Sequence, residues 1–139
     1  MGDRLLQEIR ELIAAEEYDS AETKCVVAIN VYETIIQGFR ECKDALDGIR
    51  DSACAMKGTA DRAGSGLKDE VGSRIVSFTR ESADRLIQIC AGSDDEIGEK
   101  VRILVKRREI AQELRVIAHQ LAEEKRRREQ QQRSEGRSR

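Results

Sequence analysis

The residue types that could do chemistry are few, and spacing is their first test. His119 is the only histidine, and Arg115 stands four residues before it on one predicted helix face. Acid–base work by a histidine needs a second group within hydrogen-bond reach, and the local pattern supplies none. Cys25, Cys42, Cys54 and Cys90 are too widely spaced for zinc ligands, which come in paired short steps. No Glu has a His three residues later, as carboxylate di-iron bundles require. Gly64-Ser65-Gly66-Leu67-Lys68 lacks the eight-residue pattern of a phosphate-binding loop. The expectation is therefore no catalytic residue, no cofactor and no metal, and a chain that is not an enzyme. The thiols read as small apolar seam residues, with one disulfide as the lesser alternative and a metal site as the least.

The elements that would position any such group are easier to read. The 139 residues contain no Pro, no Trp, two Tyr and two Phe. That scarcity argues against a sandwich or barrel, whose strands and turns use aromatic residues and Pro. Charged residues make up 37% and apolar ones 39%, the profile of long amphipathic helices or coiled coil. No apolar run approaches the ~18–20 residues that cross a bilayer. The opening Met1–Arg10 has no signal-peptide core, so a cytoplasmic location is expected, with signal-independent export as the alternative.

The strongest pattern runs from Ala14 to Leu67. Steps of four and three residues land on Ala14, Tyr18, Ala21, Cys25, Ala28, Tyr32, Ile35, Phe39, Cys42, Leu46, Ile49, Ala53, Met56, Ala60, Ala63 and Leu67, all apolar or aromatic. This is a heptad stripe, and it predicts an all-α fold: a long antiparallel helical hairpin or coiled coil. The predicted helices cover about 3–63, 67–91 and 95–128 in a single domain, 1–128, followed by a basic disordered tail, 129–139. Ala63-Gly64-Ser65-Gly66 marks the reversal, with Ser65 capping the next helix and Asp69 and Glu70 suiting its dipole. Gly92-Ser93-x-x-Glu96 reads as a second break, where the chain either continues or folds back into a helical bundle. A tight turn at Gly64–Gly66 makes facing residue numbers add to about 132, placing Cys42 opposite Cys90 and Leu46 opposite Leu86.

Val26, Val27, Ile29, Val31 and Ile36 lie off the stripe and exceed what one facing helix can cover. They are the predicted partner-binding residues. Charge is divided: residues 1–99 carry 12 Lys/Arg and 21 Asp/Glu, whereas residues 100–139 carry 13 and 6. Lys125, Arg126, Arg127, Arg128, Arg133, Arg137 and Arg139 are the candidate polyanion contacts, by counterion release rather than base reading. Against that stands an ordinary solvated helix face, because Glu109, Glu113, Glu123, Glu124 and Glu129 are interspersed.

In outline such a hairpin is similar to small secreted bacterial helical hairpins built around a Trp-x-Gly turn. Met56-Lys57-Gly58 has no Trp, and the C-terminal Tyr-x-x-x-acidic signal is missing, so no membership is claimed. The expected function is a non-enzymatic coiled-coil interaction or assembly protein, a scaffold that associates with itself as a homo-oligomer or with a helical protein partner. The alternatives are a small helical secretion partner or chaperone of a larger protein, and a nucleic-acid-associated protein using the basic C-terminal segment.

Overall fold

The computed structural model describes residues 3–64, 66 and 69–137. Ser65, Leu67 and Arg139, the predicted cap, the last stripe position and one candidate contact, lie outside these, as do the side chains of Asp3 and Arg137. The described residues form three helices and no strand: α1, Asp3–Ala14; α2, Tyr18–Gly64; and α3, Glu70–Arg137. The fold is all-α, an antiparallel hairpin of α2 and α3 with α1 as a third helix. Its residues group into two compact units, Met1–Ile36 with Arg102–Arg139, and Gln37–Val101.

In the first unit three helices share a core. Leu6 and Ile9 of α1 are buried, as are Ala21, Cys25, Ala28, Ile29, Tyr32 and Ile36 of α2 and Leu104, Ala111, Ala118 and Ala122 of α3. The predicted helix 3–63 is thus two helices. The chain breaks at Glu16, whose φ of 62° lies in the left-handed region. Glu17 N–H donates to the Leu12 carbonyl at 2.9 Å and Glu16 N–H to the Ile13 carbonyl at 3.1 Å, the paired bonds of a Schellman C-cap. Lys24 reaches back to Glu8, which fixes α1 antiparallel to α2. This hydrogen bond holds the Glu8 carboxyl below its ordinary pKa. The stripe had no means of showing this reversal, because the residue that takes the positive φ is not a Gly.

In the second unit α2 and α3 pack alone. Its buried apolar residues are Ala53 and Ala60 on α2 and Val76, Ala83 and Cys90 on α3. Asp69 caps α3, its Oδ1 accepting from Gly72 N–H at 2.7 Å. The pairs Lys57–Asp84, 2.8 Å, and Arg80–Asp61 bridge the helices, and residue numbers in each add to 141. Arg50–Asp94, at 3.9 Å, gives 144. The expected value was about 132, an offset of roughly 13 Å along a helix at about 1.5 Å per residue. The physical reason is that α3 begins only at Glu70 and Gly64 stands against Val76, so its first turn extends past the end of α2. Cys90 is therefore level with 51–54, not opposite Cys42, and Leu86 is level with Ala55. All four cysteines are free thiols, Cys25 and Cys90 buried, Cys42 and Cys54 exposed.

No fold-back occurs at Gly92. α3 runs unbroken through Gly92, Ser93 and Glu96. Val76, Ala83, Cys90, Leu104, Ala111 and Ala118 recur at multiples of seven on its buried side, with half-buried Ile97 in the same series. That continuous packing outweighs the ~1 kcal/mol disfavouring Gly inside a helix. The expected disordered tail is likewise helical as far as Arg137. Arg127–Glu123 at 3.8 Å and Arg128–Glu124 at 3.7 Å are i,i+4 pairs that favour the helix where the apolar pattern has ended.

Candidate interaction surfaces

Within the three-helix unit the five predicted partner-binding residues separate. Ile29 and Ile36 are buried, because they continue the Cys25, Ala28 and Tyr32 face at helical spacing and α1 adds a third wall. They belong to the core and are corrected as partner contacts. Val26, Val27 and Val31 remain exposed. Val27 flanks a shallow groove with Leu12, Asp19, Ser20, Thr23 and Lys24.

Four of the candidate basic residues meet groups of the same unit, three of them carboxylates. Lys125 Nζ donates to the Glu16 carbonyl at 3.3 Å and lies 5.9 Å from the centre of the Tyr18 ring. Arg126 pairs with Asp19 at 3.0 Å in the first turn of α2. Arg127 and Arg128 hold the i−4 glutamates described above, and Arg133 is exposed on the helix. Of the seven candidate polyanion contacts, four are engaged with groups of their own unit.

His119 also joins helices. Its Nδ1 lies 3.2 Å from Glu22 Oε1 and its Nε2 3.2 Å from Glu123 Oε1, on an exposed rim shared with Arg115 and Val116. The ring is flanked by two carboxylates, an arrangement that can cross-link α2 to α3 when protonated. Cys25 is beneath this rim, its thiol pushed above its ordinary pKa by burial, an effect Arg115 partly opposes. Among the described residues no group of three or more His, Cys, Asp or Glu could hold a metal ion. No helix there is long and apolar enough to cross a membrane.

The two-helix unit has a different surface, with its two flanks chemically opposite. At about 100° per residue, Arg50, Lys57 and Asp61 lie to one side of the Ala53–Ala60 line on α2, and Arg80, Asp84 and Asp94 to the matching side on α3. This flank holds the interhelical ion pairs, and the Asp84 carboxylate raises the Lys57 pKa above its ordinary value. The other flank carries Ile49, Ser52, Met56, Thr59 and Ala63 on α2, and Val71, Ile75, Phe78, Ser82, Leu86 and Ile89 on α3. None of these eleven is charged, in a chain 37% charged; Arg85, seven residues after Phe78, and Arg62, which donates to Thr59 Oγ1 at 3.3 Å, border them. A shallow apolar groove runs between the two rows, lined by Met56, Thr59, Ala63, Ile75 and Thr79 among others. Phe78, 72% exposed, is the most open large apolar side chain described.

The heptad stripe puts Ile49, Met56 and Ala63 inside the seam, and nothing in its spacing marks the α3 row as a surface. The missed signal was the width of the stripe: Arg50 and Lys57 follow Ile49 and Met56 directly, so α3 covers one edge and leaves the other. Comparison with protein-family models, curated proteins and solved structures finds no match for this chain.

Proposed function

We propose that this is a non-enzymatic helical assembly protein, whose working surface is the apolar flank of the two-helix unit. One observation carries the reading: side-chain size is inverted there. The buried apolar residues are Ala, Cys and one Val, while Ile49, Met56, Ile75, Phe78 and Ile89 face out. Burying a large apolar side chain contributes about 1.5–3 kcal/mol. A hairpin that buries its alanines and exposes its isoleucines thus forgoes most of the stabilisation its own sequence could provide. A contiguous apolar surface of this kind is what a further helical layer covers.

The nucleic-acid alternative receives less support, because Arg126, Arg127 and Arg128 already pair with Asp19, Glu123 and Glu124, and Lys125 with the Glu16 backbone carbonyl. Light scattering on the purified chain, and on the native complex recovered with it, tests the proposal. A mass above 15.7 kDa in either preparation is expected. Monomer in both, with no binding of an apolar dye, would overturn it.

A further inference from the structure

We infer that the occupant of this flank is a second copy of the chain, seated about a two-fold axis parallel to the helices. The inference rests on the assembly reading and adds the partner and the geometry. Area is the first argument. The exposed parts of Ile49, Met56, Ile75, Phe78, Leu86 and Ile89 amount to about 600 Å² per copy, with an aromatic ring such as Phe78 at the upper end of ~150–250 Å² and the aliphatic side chains near its lower end. Two copies bury roughly 1,200 Å² from these residues alone, and their smaller neighbours carry the total into the ~1,200–2,000 Å² range of stable interfaces.

Size complementarity is the second argument, and it selects the axis. A two-fold along the helices places each α3 on the other copy's α2, antiparallel, and preserves height along the axis. The register of the unit itself, in which facing numbers add to 141, then also governs contacts between copies. Phe78 comes level with Ala63 of the other copy, Leu86 with Ala55, and Ile89 with Ser52. Large side chains on α3 meet small ones on α2 at each of these levels, the alternation that lets helices interdigitate. A two-fold across the helices would instead put α2 on α2 and α3 on α3, setting the large α3 row of Ile75, Phe78 and Ile89 against itself. The seam's interhelical ion pairs lie on the opposite flank, outside the contact. Arg62, which donates to Thr59 Oγ1, and the exposed Arg85 stand at its edge, where their aliphatic stems can lie along the apolar surface while the heads stay in water.

Sedimentation equilibrium of the full chain at micromolar concentration tests the inference, together with Phe78→Glu and Ala55→Glu, both exposed and on different helices. The expected wild type is a dimer, and each variant raises the dissociation constant at least 100-fold with its helical circular dichroism retained. A monomeric wild type overturns the second copy, while a complex with another helical protein would keep the assembly reading. A dimer that withstands both changes but separates on Val27→Glu overturns this face and moves self-association to the three-helix unit.

Discussion

The three-helix unit and the two-helix unit are built from the same two long helices, yet they solve opposite packing problems. In the first, α1 supplies a third wall, and Ile9, Cys25, Tyr32 and Ile36 are fully enclosed. In the second, two helices meet along Ala53, Ala60, Ala83 and Cys90, and the larger apolar residues remain outside. Two helices share only one stripe each, so a broad apolar face on either needs a third neighbour. The first unit has that neighbour within the chain. The second does not, and this is why the proposed assembly is assigned to it.

The largest expected effect comes from truncating the enclosed core. Ile36→Ala should cost about 2–5 kcal/mol, the range for removing a fully buried aliphatic side chain. Ile89→Ala, measured at a concentration low enough for monomer, should cost well under about 1 kcal/mol. Urea unfolding of the two variants checks the contrast. Equal losses would mean that Ile89 is as enclosed as Ile36, and the comparison between the units would fail.

A smaller effect tests why the two-helix seam is made of small residues. Ala83 is fully buried where α2 and α3 meet, and Leu there forces the helices apart. Ala83→Leu should destabilise by about 1–3 kcal/mol, the usual cost of overpacking. Ala91→Leu, exposed on the same helix, should stay within about 0.5 kcal/mol. A neutral Ala83→Leu would show room in the seam for a larger side chain, and the inversion of sizes would lose its meaning.

Much of this architecture was legible in residue spacing. The stripe from Ala14 to Leu67 and the absence of Pro gave the all-α fold and the body of α2, but not its start at Tyr18. The seam was half legible: Leu46, Ala53 and Ala60 face α3, whereas Ile49 and Met56 do not. A heptad stripe reports that a face is apolar, but the partner's register decides which edge it covers. That register depended on where α3 starts, and Gly64–Gly66 located the reversal without giving its length. Gly92 misled for a related reason, since helix propensity is local and the seven-residue series through Cys90 and Ile97 is not. The candidate surface on α3 was obscured because Val76, Ala83 and Cys90 run beside Ile75, Phe78 and Ile89, and only a structure shows which row turns inward.

The least legible feature, the turn after α1, gives the smallest and sharpest test. Glu16 has a φ of 62°, where an L-residue other than Gly is disfavoured by about 1–2 kcal/mol. Two groups hold it there: the Schellman bonds to Leu12 and Ile13, and Lys125, which donates to the Glu16 carbonyl from α3. Glu16→Gly removes the Cβ conflict without touching these backbone bonds. It also loosens the unfolded chain, an entropic loss of roughly 0.5–1 kcal/mol that offsets part of the gain. The net expectation is a stabilisation of about 0.5 kcal/mol, read as a higher urea midpoint with an unchanged slope. Glu17→Gly, one residue on and outside the left-handed region, has only the entropic term and should lower the midpoint. If both changes lower it equally, Glu16 is not held in the left-handed conformation. α1 would then lack the reversal that makes one unit three helices thick and leaves the other at two.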